Sequence, residues 1–347
     1  MADMFKAFLK ATRLARKRQA RTAKLLFPAL APPKKARAKR VTPAKPRPVR
    51  VARPAASRAL PRPTPGSFIS DDFTCAHGTM TCRLYTPTGS DRRRMPMVVM
   101  LHGCTQTASD FATGTGMNAL ADQLGFLVLY PQQSSSANMA RCWNWHDPLH
   151  QGRDHGEPAV IAALTRHAMA LGRANPARVY IAGISAGGAA AAIVGAAYPD
   201  LFMAVGVHSG VARGDIRTVG GALAAMNGRA GPASTATLPR QLPTIVFHGD
   251  GDRVVHPSNA AGFLTNVERS GAGPLAMRST SGRSPGGRDY TRRIYKNRSG
   301  DVLLEDWTIH GSGHSWSGGN PMGSHTDPAG PDASREMIRF FLTCKPR

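Results

Sequence analysis

Ser185 stands in a run of small residues, Gly183-Ile-Ser-Ala-Gly187, that directly follows the apolar segment 179–182. A strand, a sharp turn and a following helix expose a serine hydroxyl, and glycines flank it because larger side chains there would collide. The backbone N–H of Ala186, at the start of the helix, would point at the oxyanion that forms during acyl transfer. The pattern predicts Ser185 as a nucleophile and Ala186 as an oxyanion donor.

A second copy of the same five-residue pattern, Gly282-Arg-Ser-Pro-Gly286, occurs later in the chain. No apolar strand precedes it, and Pro285 lacks the N–H group that an oxyanion hole requires. We interpret the segment around Ser284 as a surface loop. The five-residue pattern alone is therefore weak evidence for a nucleophile; the preceding strand and the following N–H group distinguish Ser185 from Ser284.

Two later segments join an apolar strand to side chains suited to acid–base catalysis. The segment 244–252 runs into Asp250 and Asp252, and the segment 307–314 runs into a glycine-flanked His314. Such a histidine takes the proton of the attacking serine and returns it to the leaving group, while an aspartate fixes the imidazole tautomer.

The choice of aspartate stays open on spacing alone. Asp252 has more reach than Asp250 toward a histidine loop, which gives it a slight preference. His310, four residues before His314, is predicted to lie within the strand and to be structural.

The second oxyanion donor is expected in the loop after an early strand. Leu101-His-Gly-Cys-Thr-Gln106 fits this position, and the backbone N–H of Cys104 is the natural candidate. A cysteine nucleophile is the minor alternative, because no elbow surrounds Cys104.

Tryptophans mark the predicted substrate side of the site. The run 141–157 is rich in His and Asp, but its spacing matches no compact zinc motif, so neither a metal nor a cofactor is predicted. Tryptophans in an ordered loop are suited to lining an apolar acyl pocket, and a loop with a purely structural role is the alternative. The predicted substrate-binding residues are Trp143, Trp145 and Trp316.

These side chains need a scaffold that gathers the ends of several strands. Apolar strand candidates are 97–101, 127–130, 179–182, 204–207, 244–248 and 303–309, and helical periodicity occupies 116–124, 157–171, 186–198, 259–268 and 333–342. The alternation predicts one α/β domain over residues 67–347, with a mostly parallel sheet covered by helices on both faces. The chain order Ser, Asp, His is that of the α/β-hydrolases.

Residues 1–66 have a different composition. They hold 19 Lys/Arg and one acidic residue, net +18, which leaves 24 − 18 = +6 for residues 67–347. We expect a short basic amphipathic helix over 4–27 and an extended, proline-rich linker over 28–66. Such a tail could bind an anionic surface (granule proteins, a membrane or nucleic acid), or it could be a solubilising tether without a specific partner.

The sequence favours a cytoplasmic location, with association to granules as one option and secretion left open. The longest apolar run of its N-terminus, 25–31, is broken by proline and is too short for a signal peptide, and no later segment has the length of a membrane span. Cys75 and Cys82 could face each other across a hairpin, and Cys104 and Cys142 lie in two loops near the site. Reduced thiols are what a cytoplasmic location favours, but connectivity cannot be read from sequence.

Several motifs jointly resemble one family. They are Leu101-His-Gly-Cys-Thr-Gln106, Cys142-Trp-Asn-Trp145, Gly156-Glu-Pro158, Tyr180-Ile-Ala-Gly-Ile-Ser-Ala-Gly-Gly188, His248-Gly-Asp-Gly-Asp-Arg-Val-Val255, Gly313-His-Ser-Trp-Ser-Gly-Gly319 and Thr326-Asp-Pro-Ala-Gly-Pro-Asp-Ala-Ser334. Over about residues 70–344 the chain resembles the polyhydroxybutyrate depolymerase family of esterases, with feruloyl and acetylxylan esterases as nearer relatives than lipases.

The resemblance implies an α/β-hydrolase with the triad Ser185, Asp252 and His314, and its Gly-x-x-Asp-x-x-Val pattern settles the choice of aspartate. It also implies Cys104 and Ala186 as oxyanion donors and Trp143 as a substrate-side residue.

The expected activity is a serine esterase that cleaves hydroxybutyrate ester bonds of polyester granules or oligomers through an acyl-enzyme. Secreted depolymerases of this kind carry a signal peptide and a C-terminal polymer-binding domain, whereas this chain ends at Arg347, which favours an intracellular version. The alternatives are a carbohydrate esterase of the feruloyl or acetylxylan type, and a granule- or nucleic-acid-binding protein that acts through its basic tail. A peptidase on the same fold ranks lower, because no propeller or cap domain is recognised.

Overall fold

The structure is a computed structural model that describes residues 66–89, 94–212, 216, 218–229 and 241–345. The helix expected over 4–27 and the linker expected over 28–66 lie outside the described residues, apart from Gly66. The strands are β1 (Ser67–Cys75), β2 (Gly78–Thr86), β3 (Met95–Leu101), β4 (Leu127–Gln132), β5 (Ala174–Ile184), β6 (Ala204–His208), β7 (Thr244–Gly249), β8 (Ala276–Arg283), β9 (Asp289–Lys296), β10 (Val302–Ile309), β11 (Trp316–Ser317) and β12 (Thr326–Asp327). The helices are α1 (Ala108–Thr115), α2 (Met117–Leu124), α3 (Gly156–Gly172), α4 (Ala186–Ala197), α5 (Val219–Met226), α6 (Asn259–Arg269) and α7 (Ala333–Thr343).

Ten strands form one sheet in the order β1-β2-β4-β3-β5-β6-β7-β10-β9-β8. The six central strands, β4 to β10 in that order, are parallel, and an antiparallel pair extends the sheet at each end. The central strands are continuous apolar runs because helices cover both of their faces. The parallel sheet predicted from the sequence is therefore present.

Two apolar clusters separate the helices into layers. In β3, Met97 and Val99 face the cluster that packs α3, α4 and α6, whereas Val98 and Met100 face the cluster that packs α1, α2 and α7. Alternate residues of a strand point to opposite faces, so one buried strand serves both layers. The functional loops lie at the carboxyl edge of the parallel strands, as this layering requires.

The elements that the sequence analysis missed have weak apolar patterns or short lengths. Strand β8 is exposed on both faces, so it shows no alternation of apolar and polar residues. Helix α1 is short, but its N-cap was readable: the Thr107 side chain accepts a hydrogen bond from the Asp110 N–H at 3.1 Å.

The proposed facing of Cys75 and Cys82 is wrong. In the β1–β2 hairpin Cys75 pairs with Gly78, and Cys82 pairs with Asp71. Both thiols are free. Among the described residues, none of the helices combines the length and apolar character needed to cross a membrane.

Candidate active site

Ser185 occupies the sharp turn between β5 and α4. Its backbone has φ 57° and ψ −123°, a conformation that costs energy for a non-glycine residue and that suits a nucleophile elbow. The turn packs so closely that a Cβ on Gly183 would lie 2.4 Å from the Gly187 carbonyl, and one on Gly187 would lie 2.2 Å from the Leu101 oxygen. Both glycines of the motif are therefore required by packing.

Two backbone N–H groups beside this turn have no acceptor among the described residues. In the loop after β3, the N–H groups of Gly103, Thr105 and Gln106 donate to Gln106 Oε1, the Ala140 oxygen and the Gly103 oxygen, but that of Cys104 does not donate. Ala186 begins α4, where the first N–H groups have no intrahelical acceptor. The predicted donors are thus both available to a developing oxyanion.

Asp252 and His314 form a buried pair after β7 and β10. His314 Nδ1 lies 2.7 Å from Asp252 Oδ2, and Asp252 Oδ1 accepts the N–H groups of Val254 and Val255 at 2.9 Å each. Burial alone would raise the pKa of Asp252, but hydrogen bonds from His248 and His314 outweigh it and hold that pKa well below its usual range. The carboxylate stays ionised and fixes the imidazole.

Asp250 has a separate partner. Its Oδ2 lies 2.8 Å from Nδ1 of His310, and its Oδ1 accepts the Gly311 N–H at 2.7 Å. His310 lies just after β10 rather than within it, and both side chains are about two-fifths exposed. Each aspartate of the motif therefore has its own histidine, and the pair that includes His314 is the buried one.

The three candidate triad residues follow strands β5, β7 and β10 at one edge of the sheet; β7 and β10 are adjacent, and β6 lies between β5 and β7. Within the described residues no hydrogen bond joins the Ser185 hydroxyl to His314, and catalytic hydrogen bonds are often long before a substrate binds. His208 connects the Ser185 turn to the segment that follows His314. Its carbonyl accepts the Ser185 N–H at 2.9 Å, and its Nε2 accepts the Ser317 N–H at 2.9 Å.

Sequence reasoning missed a layer of buried histidines beneath the site. His102, His208 and His248 are each at most 2% exposed. Burial lowers the pKa of His102 to about 4 and that of His208 to about 3, so both imidazoles are neutral. The signal was available, because a histidine lies within one residue of the last residue of each of the strands β3, β6, β7 and β10.

The tryptophans lie deeper than predicted. Trp143 is 0% exposed and donates its indole N–H to the His102 oxygen at 3.0 Å, and Trp316 is 1% exposed and donates to Ser334 Oγ at 3.0 Å. Neither ring offers surface to a substrate in this conformation, so both support the loops from beneath. Substrate contact stays a prediction for Trp145, which is 8% exposed.

A disulfide joins Cys104 to Cys142, a connection that the sequence left open. It connects the loop of the candidate oxyanion donor to the tryptophan loop. The Thr105 N–H also donates to the Ala140 oxygen at 2.6 Å, so the two loops are held together at adjacent points.

The second pattern match, around Ser284, is not an elbow. It lies in the hairpin between β8 and β9, where the Ser284 hydroxyl donates to the Ala329 oxygen and accepts the Arg288 N–H. The surface loop expected here is present, with residues 285–287 exposed, although the Ser284 side chain itself is only 6% exposed. No group of three or more potential metal-ligating side chains occurs in the described ranges.

Comparison with known proteins identifies esterases among the relatives of this chain. Among curated relatives, poly(3-hydroxyalkanoate) depolymerase C of Paucimonas lemoignei is 30% identical over 257 residues, which cover 70% of this chain and 60% of the relative. Feruloyl esterase B of Neurospora crassa is 36% identical over 132 residues, 38% of this chain and 44% of the relative. The chain thus spans less than two thirds of the length of either relative.

The fold and the family follow from two further matches. The solved acetyl xylan esterase from Aspergillus awamori superimposes with a TM-score of 0.59 at 18% identity, over 76% of this chain and 94% of that one, which confirms the predicted α/β-hydrolase fold. A profile of the family described as esterase PHB depolymerase matches residues 80–273. Because this profile covers more than half of the chain, the protein belongs to the esterase PHB depolymerase family.

Proposed function

We propose that this protein is a serine carboxylic-ester hydrolase that cleaves the ester bonds of poly(3-hydroxybutyrate) or of its oligomers. The observation that carries the proposal is the buried pair of His314 and Asp252, which follows β10 and β7 at the same edge of the sheet as the Ser185 turn after β5. Relatives named as polyhydroxyalkanoate and polyhydroxybutyrate depolymerases support the substrate class.

In the proposed reaction, Ser185 Oγ attacks the ester carbonyl carbon while His314 Nε2 takes the hydroxyl proton. The N–H groups of Cys104 and Ala186 stabilise the negative oxygen of the tetrahedral intermediate. The carbon–oxygen bond to the leaving alcohol breaks, and His314 returns the proton to that oxygen. Water then attacks the acyl-enzyme by the same proton transfers, which releases the acid and restores Ser185.

A substrate panel tests the proposal. Wild type and Ser185→Ala are assayed side by side on amorphous polyhydroxybutyrate, hydroxybutyrate dimer and trimer, and feruloylated and acetylated sugar esters. Release of hydroxybutyrate by wild type alone supports the proposal. Turnover of the sugar esters without release of hydroxybutyrate assigns the protein instead to the carbohydrate esterases, which the feruloyl and acetylxylan esterase relatives represent.

We further propose that residues 1–66 bring the enzyme to an anionic surface, because they carry net +18. Removing them should abolish salt-sensitive binding to granules while hydrolysis of a soluble ester persists. If a Ser185→Ala variant keeps every activity of the wild type, the protein acts as a binding protein and the enzymatic proposal fails.

A further inference from the structure

Glu157 is a buried carboxylate that does not touch the candidate triad. It lies in the first turn of α3, is 8% exposed and faces hydrogen-bond donors. Its Oε1 accepts from Gln133 Nε2 at 2.5 Å and from Asn144 Nδ2 at 2.7 Å, and its Oε2 accepts the Asn144 N–H at 2.9 Å. A buried carboxylate is costly unless such donors satisfy it, so its position calls for a structural reason.

One path of hydrogen bonds leads from Glu157 to the candidate oxyanion donor. The Gln133 N–H donates to His102 Nε2 at 3.1 Å, which leaves the imidazole proton on Nδ1. That Nδ1–H donates to the Gly103 oxygen at 2.8 Å. The Gly103 carbonyl and the Cys104 N–H belong to the same planar peptide, so this bond orients the donor.

A second path runs through the tryptophan loop. Glu157 holds Asn144, and the neighbouring Trp143 donates its indole N–H to the His102 oxygen at 3.0 Å. Gln133 Nε2 also donates to the Cys142 oxygen at 3.2 Å, and Cys142 carries the disulfide to Cys104. Both paths converge on the loop that follows β3.

We propose that Glu157 is a positioning residue for the oxyanion hole: it anchors Gln133 and Asn144, which fix the Gly103–Cys104 peptide through His102 and Trp143. The inference rests on the proposed esterase function, because the Cys104 N–H matters only if an oxyanion forms. Loosening this peptide weakens binding of the transition state more than binding of the ground-state ester.

The Glu157→Gln variant tests the inference. A glutamine presents an amide NH₂ to groups that are all donors, so at least one bond is lost. We expect kcat on a soluble p-nitrophenyl ester to fall by about tenfold, less than the 10²–10³ of a deleted donor, with KM changed by less than about twofold. A trifluoromethyl ketone, which forms a tetrahedral oxyanion with the serine, should lose affinity by the same factor as kcat.

Glu305→Gln is the matched control. Glu305 on β10 is 1% exposed and accepts hydrogen bonds from Arg292 on β9, Trp307 on β10 and Arg339 on α7, away from the loop after β3. Both variants should unfold at lower temperature, but Glu305→Gln should keep the kcat of wild type. If Glu157→Gln does not fold, Glu157→Asp, which keeps a carboxylate with shorter reach, takes its place and should show the same loss in smaller degree.

Two other results would overturn the inference. A kcat and a ketone affinity for the Glu157 variant that match those of Glu305→Gln would reduce Glu157 to a stability role, while the esterase function would stand. A wild type that turns over none of the esters would overturn the proposed function and this inference together.

Discussion

Asp252 Oδ2 and His314 Nδ1 lie 2.7 Å apart, in a pair whose carboxylate has no exposed side-chain surface. The neighbouring pair, Asp250 and His310, has nearly the same distance of 2.8 Å but is open to solvent. Distance alone does not separate the two pairs. Burial does, because it excludes the water that would weaken the electrostatic support of a charged imidazole.

This difference predicts unequal effects of two isosteric substitutions. Asp252→Asn should lower kcat by about 10⁴-fold, because the amide no longer holds the imidazole in the tautomer that accepts a proton at Nε2. Asp250→Asn should lower it by less than about tenfold, through a small shift of the loop that both aspartates share. Steady-state kinetics on a soluble ester measures both, and equal losses would contradict the assignment.

The two Gly-x-Ser-x-Gly matches provide an internal control for the nucleophile. Ser185→Ala should reduce kcat by about 10⁴-fold or more, since the attacking oxygen is removed. Ser284→Ala loses the hydrogen bond to the Ala329 oxygen, so it should lower thermal stability and leave kcat within about twofold. An active-site-directed fluorophosphonate should label wild type and the Ser284 variant, and labelling of Ser185→Ala would disprove the assignment.

The buried histidines predict a loss of stability in mild acid. In the folded chain burial lowers the pKa of His102 from 6.5 to about 4 and that of His208 to about 3. The unfolded chain therefore binds more protons below pH 6.5, and the free energy of unfolding falls as the pH drops from about 6.5 toward 4. Two such groups give a slope of up to about 2.7 kcal/mol per pH unit, and their contribution is complete above pH 6.5.

Urea unfolding at a series of pH values measures this slope. Glu157 contributes a slope of the opposite sign to the pH dependence of the unfolding free energy. Burial raises its pKa, so the folded chain keeps a proton that the unfolded chain has released. A His102→Asn variant isolates one histidine, since the Asn amide can still donate to the Gly103 oxygen. Its slope should be lower by about 1.4 kcal/mol per pH unit, and a slope equal to that of wild type would show that His102 does not titrate in this way.

The central sheet was predictable because buried parallel strands are continuous apolar runs, and the loops that follow them carry the catalytic residue types. Strands β8 and β9 were not predictable, since β8 is largely exposed, β9 is half-buried along most of its length, and neither shows periodic burial. The depth of Trp143 depends on the His102 oxygen, which lies on a different strand end, so local sequence could not reveal it. The pairing of Cys104 with Cys142 likewise depends on a 4.2 Å Cα separation that only the folded loops create.

The disulfide predicts that the rate depends on the redox state. Opening the Cys104–Cys142 bond frees the loop of the candidate oxyanion donor, so Cys142→Ser or full reduction should lower kcat by about tenfold and change KM little. Cys75→Ser is the matched control, because Cys75 is a free thiol outside these loops.

Thiol titration of the unfolded protein should count three thiols before reduction and five after it. A disulfide persists in oxidising compartments and is rare in the cytoplasm, so a count of five thiols in protein isolated without reductant would favour the cytoplasmic location expected from the sequence. An unchanged kcat in the reduced wild type would show that the hydrogen bonds around Cys104 hold the loop without the disulfide.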